Sequence, residues 1–357
     1  MPSERFCQKY YQTYAFLFIA FYFIGEGLMI SRLYLDNGIE FWPMNRVSKM
    51  AASTIKDKIK SLKWRMLDRA CPLCAEKDTE ILSEKNKYGI MQRIVICKYC
   101  GLIYWGNGID QSATNDFYDN YYIDLCVGNI GSEKIFEYQY QRGKNILKFL
   151  IEYNIGNPKR ALEIGCGTAG ISFALKEYYK DCDFYGLDYR DEDIEFSKDN
   201  KIKIFKYTDS IYSDLQKYNF DLIIANHVVE HFVDLQSELL KIKSIMSKDT
   251  VLFIGVPGTL KTYEYYNYFL ESISLDHNYY FTASTLNNIM MALGFDLHFI
   301  DQNINALYKI SGISNNVKSV RNDYTNIMKY IKDNEPTEYK IYGLKIRLRN
   351  FLRQLLK

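Results

Sequence analysis

The sequence predicts an α/β fold: a parallel, doubly wound sheet of seven strands whose last strand runs antiparallel. Three observations lead there. An apolar strand pattern at 160–164 runs straight into the glycine-rich turn Gly165-Cys166-Gly167-Thr168-Ala169-Gly170. Strand and helix patterns then alternate along the chain, as a parallel sheet with helical crossovers requires. Finally, the last two strand patterns, 295–300 and 306–310, are separated by a loop too short for a crossover, so they must pair antiparallel.

The elements follow in order. A helix is expected at about 133–153, ahead of the first strand, and another at 171–179 just after the glycines. Further strands are expected at 183–187, 202–205, 220–225 and 251–256, with helical periodicity at 191–197 and 233–246 between them. A helix at 284–293 is closed by Gly294 before the final strand pair.

Composition sets outer limits. The 357 residues are 48% hydrophobic, enough for one large domain or two. Lys plus Arg number 45 and Asp plus Glu 43, so a formal charge of +2 gives no global reason to expect a polyanionic partner such as nucleic acid. The 32 tyrosines accompany much Ile, Lys and Asn, a compositional bias rather than a set of functional phenols.

Four of the eight cysteines form a local unit: Cys71-Pro72-Leu73-Cys74, then 22 residues, then Cys97-Lys98-Tyr99-Cys100. Each C-x-x-C turns two thiolates toward one centre, and four sulfurs satisfy a tetrahedral zinc ion, so residues 67–110 are expected to fold as a zinc ribbon. Four cysteines leave no open coordination position, which makes the ion a structural staple. Cys166 and Cys182 suit small buried positions. Residues 111–135, rich in Gly, Asn, Asp and Ser and carrying Phe117, Tyr118, Tyr121 and Tyr122, read as a linker or lid.

The first 66 residues form a separate segment with an apolar run from Tyr14 to Gly25. Its twelve residues fall short of the roughly 20 that a bilayer span needs. No small-residue cleavage site follows, because Glu26 and Arg32 occupy the expected stretch. Three readings are open: a short membrane anchor that tolerates Glu26, an ordinary buried helix, or translation from a misassigned start with Met44 or Met50 the true beginning. As an anchor, the cluster Lys56, Lys58, Lys60, Lys63 and Arg65 would hold the rest of the chain at the inner face of the membrane, and in every reading the residues from 67 onward are expected in the cytoplasm. The tail, 313–357, ends in a basic amphipathic pattern suited to an anionic membrane surface or to packing on a neighbour.

The glycine spacing G-x-G-x-x-G lets a backbone without Cβ atoms approach a nucleotide, and Asp188, 21 positions beyond Gly167 at the end of the next strand, can accept ribose hydroxyls. Glu163 before the first glycine, Asp209 after the third strand and Asn226-His227-Val228-Val229-Glu230-His231-Phe232-Val233-Asp234 after the fourth narrow the choice. With the antiparallel ending, they resemble the class I S-adenosylmethionine-dependent methyltransferases, in particular the small-molecule branch whose fourth strand ends in a motif like "VLEH". The stretch from His277 to Phe295 is similar to that branch's segment after strand five. The resemblance covers about residues 136–310 and implies a Rossmann-like sheet. The cysteine unit followed by Tyr121-Tyr122 is similar to the N-terminal ribbon of a subgroup associated with sugar or polysaccharide modification.

The resemblance implies that Gly165, Cys166 and Gly167 pass under the methionine portion of S-adenosylmethionine and that Glu163 helps to hold its amino group. It also implies that Asp188 binds the ribose, Asp209 the adenine amino group, and that Asn226 lines the end of the pocket. His231 and His277 are the candidates for a general base, since an imidazole titrates near neutrality; His227 and His298 read as structural. The expected activity is methyl transfer to a small molecule or glycan. Alternatives are an RNA methyltransferase gripping its substrate with the ribbon, a non-catalytic cofactor-binding scaffold and, more distantly, a nicotinamide dehydrogenase.

Overall fold

The computed structural model describes residues 32–128, 130–197, 202–208, 210–311 and 321–336. Helix α1 (Arg46–Lys60) starts where the Asn45 side chain accepts the Ser48 N–H, and it buries Ala51, Ala52, Ile55 and Ile59 along one stripe. Strands β1 (Thr79–Lys85), β2 (Met91–Cys97) and β3 (Ile103–Trp105) form an antiparallel meander that carries the cysteines. Helix α2 (Gln111–Asn120), capped by Asp110, and a single wide turn at Ile123–Val127 lead to α3 (Ser132–Glu152).

Next come β4 (Arg160–Ile164), α4 (Gly170–Tyr178), β5 (Asp183–Asp188), α5 (Asp191–Ser197) and β6 (Lys203–Lys206). They are followed by α6 (Ile211–Leu215), β7 (Phe220–Asn226), α7 (Leu235–Ser244) and β8 (Met246–Gly255). The chain closes with β9 (Tyr279–Tyr280), α8 (Ala283–Ala292), β10 (Phe295–Ile300), β11 (Asn305–Ile310) and α9 (Tyr324–Asn334).

Seven strands make the main sheet in the order β6-β5-β4-β7-β8-β11-β10. Neighbours run parallel except β11, which is antiparallel to both β8 and β10. Strand order reverses between β4 and β7, so the crevice that an open α/β sheet offers to ligands lies beyond their carboxyl ends. All seven strands expected from the sequence form. The largest difference is at β8, which starts at Met246 rather than Val251 because an irregular first pairing, Phe220 with Met246, extends it.

The cysteine unit is not a free-standing module. Its sheet has the order β1-β2-β3-β9, and β9 comes from far downstream, between β8 and α8. The segment 111–135 is largely helical, and Phe117 and Leu125 are buried in a second hydrophobic core with Trp64, Ile55 and Ile103. Residues 32–43 belong to that core too: Tyr34 and Phe41 are buried in it, and the Tyr34 hydroxyl donates to Glu335 Oε1 (2.5 Å) beyond α9. The start at Met44 or Met50 considered from sequence would therefore remove core side chains. Lys56 and Lys58, read as a membrane-flanking cluster, serve α1, donating to the Gly38 carbonyl and to Asp116. The apolar run 14–25 and the basic end 345–357 lie outside the described residues. Among the described residues, no helix is long and apolar enough to cross a membrane.

Candidate active site and metal centre

The glycine turn is built for close approach. Gly165 and Gly167 sit at φ +64° and +49°, in the left-handed region where a side chain is strained. A Cβ on Gly165 would lie 2.5 Å from Val228 Cγ2, and one on Gly170 would lie 2.5 Å from the Phe136 carbonyl of α3. Cys166 turns its sulfur inward: it is fully buried, and a Cβ on Gly186 in β5 would meet its Sγ at 2.5 Å. Burial holds its thiol well above the ordinary range, so it is an inert packing group and only its backbone faces the crevice.

Glu163, at the tip of β4, is 2% exposed. Its Oε2 accepts the backbone N–H (2.9 Å) and hydroxyl (2.6 Å) of Ser172 in α4. Burial pushes its pKa up to about 8 against those two bonds, so without a cation beside it the carboxyl is largely protonated at neutral pH. Asp188, at the tip of β5, ties the turn together. Its Oδ2 accepts from Gly167 N (2.7 Å), and its Oδ1 accepts from Tyr189 N (2.7 Å) and Arg190 N (3.1 Å). A carboxylate has about four acceptor positions; a diol reaching Asp188 would share them with these amides.

Asn226 ends β7 against the last residue of β8, where a Cβ on Gly255 would lie 2.4 Å from its Oδ1. Asp209 lies outside the described residues. Sequence reasoning missed Gln139 of α3, whose Oε1 accepts from Thr168 Oγ1 (2.7 Å) and Gly170 N (3.2 Å) and so fastens the preceding helix to the glycine turn. No spacing rule points to it, since it lies 31 residues upstream of Gly170.

Beyond β7 a polar cluster gathers, and it contains both candidate bases. The His231 and His277 rings stand edge to face with centroids 4.9 Å apart. His231 Nδ1 is 2.9 Å from the Asp276 carbonyl oxygen and 3.6 Å from its carboxylate. His277 Nε2 is 3.9 Å from the same carboxylate, and His231 Nε2 is 3.9 Å from Glu230 Oε1. His227, at φ +54°, places its Nδ1 3.1 Å from Glu230 Oε1, consistent with a structural reading. His298 is exposed on β10, away from the cluster.

Charge is concentrated here in a buried place. Burial opposes ionisation of Glu230, but a hydrogen bond from His227 and the neighbouring imidazoles outweigh it and bring the group down to about 2. Asp276 is likewise held below the usual carboxylate range, by His277 and His231 against the cost of burial. Burial brings His277 down to about 4, so its ring is neutral near pH 7. Tyr118 and Tyr122, from the segment expected as a lid, have phenols raised by burial and by Asp276. Asp188 and Glu230 also raise the Tyr122 phenol, whose ring packs against Phe117 and Tyr118.

The small sheet is what brings His277 to His231. Tyr279 and Tyr280 pair with Tyr104 and Ile103 of β3, and Trp105 N donates to the Asn278 carbonyl. Asn278 in turn donates its backbone N–H to the Glu230 carbonyl (2.8 Å) and its Nδ2 to the His231 carbonyl (2.9 Å). Buried Gln92 of β2 donates to the Ser274 and His277 carbonyls.

The four cysteines converge at the far end of that sheet. Cys71 Sγ lies 3.5 Å from Cys100 Sγ, and Cys74 Sγ lies 3.5 Å from Cys97 Sγ. All four sulfurs are within 4.8 Å of one another. A tetrahedral ion with bonds of about 2.3 Å sets its sulfurs roughly 3.8 Å apart, so this set fits such an ion.

Residues 136–298 match the family described as "Methyltransferase domain". This segment is a methyltransferase domain. Two plant proteins resemble the chain in sequence over part of its length. One, of Papaver bracteatum, is named "Probable (S)-tetrahydroprotoberberine N-methyltransferase 2" and is 27% identical over 35% of this chain and 35% of its own. The other, the (S)-tetrahydroprotoberberine N-methyltransferase of Eschscholzia californica, is 27% identical over 28% of this chain and 30% of its own. The chain thus spans about a third of the length of these relatives. A solved structure, the magnesium protoporphyrin IX methyltransferase of Synechocystis PCC 6803 with bound SAH, is 12% identical over 57% of this chain and all of its own, with a TM-score of 0.40. The matched segment includes the glycine turn, Asp188, Asn226 and the Glu230–His277 cluster.

Proposed function

We propose that this chain transfers a methyl group from S-adenosylmethionine to a small, polar, protic acceptor of the small-molecule or glycan type. The observation that carries the proposal is the meeting, at the switch point of a methyltransferase-domain sheet, of a close-approach glycine turn with a buried cluster of carboxylates and imidazoles. When bound, S-adenosylmethionine supplies a sulfonium whose methyl group is open to in-line attack.

The residues then divide the work. Gly165, Cys166 and Gly167 offer backbone beneath the methionine portion, and Glu163 takes its amino group. Asp188 takes the ribose, Asp209 the adenine amino group, and Asn226 lines the end of the pocket. The acceptor's polar end docks at Glu230, His231, Asp276 and His277, and this cluster receives the proton that leaves with attack. His231 and His277 are the side chains assigned to the reacting atom. Neutral imidazole and ionised carboxylate are the forms such a role requires, and they are the forms the surroundings of His277, Glu230 and Asp276 favour. Tyr118 and Tyr122 exclude water from the transfer. Positioning and water exclusion supply most of the rate in such a displacement.

The polarity of the cluster supports a hydroxylated or amine acceptor over an apolar one, since each buried polar atom left unpaired costs about 1–3 kcal/mol. A structural zinc ion on Cys71, Cys74, Cys97 and Cys100 holds β2 and β3, and through β9 holds His277. The proposed location is the cytoplasm, at the inner face of a membrane if residues 14–25 or the basic end of the chain hold it there. The test is transfer of label from methyl-tritiated S-adenosylmethionine to panels of sugars, nucleotide sugars and amines. The expected outcome is turnover on one polar class that falls at least 100-fold in His231→Ala; label transfer undiminished in that variant would overturn the role given to the cluster.

A further inference from the structure

Among the described residues, two groups of side chains converge closely enough to hold a metal ion: the four cysteines, and the set Glu230, His231 and His277. The second set has the make-up of an open catalytic site, two imidazoles and one carboxylate, rather than a closed structural one. One ligand atom from each of the three residues lies within 4.8 Å of the others, and Glu230 Oε1 is 3.9 Å from His231 Nε2.

Three further observations point to a bound cation. The His231 Nδ1 contact with the Asp276 carbonyl (2.9 Å) fixes the proton on Nδ1, because a carbonyl only accepts, and so leaves the Nε2 lone pair facing Glu230. A ring N–H donated to a backbone carbonyl is the usual outer support of a metal-bound histidine. Glu230 is 1% exposed, yet its Oε2 has no hydrogen-bond partner, an expensive arrangement for a buried carboxylate. Around the set stand Asp276, with its carboxylate 3.6 and 3.9 Å from the two rings, and His227 against Glu230. These are second-layer groups of the kind that orient ligands.

We infer that Glu230, His231 and His277 form a second metal site, for one divalent transition-metal ion such as zinc, with a position left open toward the acceptor. The donor set excludes a preference for calcium or magnesium, which take oxygen ligands. Located where the proposed acceptor docks, the ion would bind an acceptor oxygen or nitrogen and orient it; in this loaded form the imidazoles act as ligands, and the Asp276 carboxylate beside both rings, rather than either imidazole, would take the acceptor's proton. In this respect the inference rests on the function proposed above, but the site itself does not depend on it.

The test uses the full chain with its cysteine site loaded with zinc. Cobalt(II) is titrated in while the visible spectrum and the bound metal per chain are recorded. The expected result is a second equivalent per chain whose weak bands lack the intense sulfur-to-cobalt absorption of a cysteine site. That equivalent should disappear in Glu230→Gln and in His277→Ala, each of which keeps the first zinc and the far-ultraviolet circular dichroism of the parent. No second equivalent, or one that survives both substitutions, would overturn the inference. Binding of S-adenosylhomocysteine, measured on the same samples, separates the two claims: its absence sinks the methyltransferase reading and leaves the metal count standing, and a missing second metal does the reverse.

Discussion

Glu163 faces opposed demands: its carboxyl is buried against α4, and a bound ammonium would need it ionised. Its ordinary pKa is near 4.5 and burial raises it to about 8 in the folded chain. A carboxyl raised on folding contributes no penalty below about pH 4.5, where it is protonated folded and unfolded alike. The penalty grows as pH rises, and is complete above about pH 8, with each pKa unit worth about 1.4 kcal/mol. Glu163→Gln removes that titration. Denaturant unfolding of the ligand-free proteins at pH 5 and pH 8 should show the variant gaining on the parent by a few kcal/mol as pH rises, while its affinity for S-adenosylmethionine falls. A stability difference that does not change with pH would contradict this account of the side chain. Glu163, Asp188 and the glycines were legible in sequence because strand tips and φ-positive turns leave local patterns. Gln139 and Asp276 were not, since their partners are brought to them only by the tertiary fold.

At the scale of elements, the small sheet links a metal-binding end to a chemical end. Cys97 closes β2, β3 pairs with β9, and His277 stands two residues before β9. The C-x-x-C spacing made the first of these links readable. The last was not, because a two-residue strand such as β9 has no periodicity of its own. Cys71, Cys97 and Cys100 share a continuous core with Leu162, Ile164 and Ala225 of the main sheet, so loss of the proposed zinc should be felt well beyond 67–110. Cys97→Ser is expected to lower Tm by about 5 °C or more, taking a loss of a few kcal/mol at roughly 2–4 °C per kcal/mol. Turnover should fall more steeply than cofactor affinity, because β3 holds β9 and with it His277, whereas the glycine turn is tied down by Asp188 and Gln139. An unchanged Tm in differential scanning calorimetry would contradict the coupling.

Across the whole molecule, residues distant in sequence close one core. Glu335 accepts from Tyr34 (2.5 Å) and Tyr263 (2.6 Å), joining the first described residues to the end of α9. A chain started at Met50 loses Tyr34 and Phe41 and part of α1, and is expected to be aggregated or protease-sensitive where the full chain is not; limited proteolysis decides this. The main sheet was readable almost strand for strand, since its buried parallel strands are apolar runs bounded by turns. The second core was not readable, because α1, α2 and residues 32–43 meet across long sequence distances and their amphipathic patterns do not name a partner. Tyr118 and Tyr122 pack on that core, and burial together with the Asp276 carboxylate raises both phenols.

The central claim is that the glycine turn and Asp188 hold S-adenosylmethionine. Isothermal titration of the full chain with S-adenosylmethionine, S-adenosylhomocysteine and NAD tests it most directly. The account predicts binding of both sulfur nucleosides with one site per chain, lost or weakened at least tenfold in Asp188→Ala, and no binding of NAD. Absence of binding to either sulfur nucleoside, or a clear preference for NAD, would contradict it.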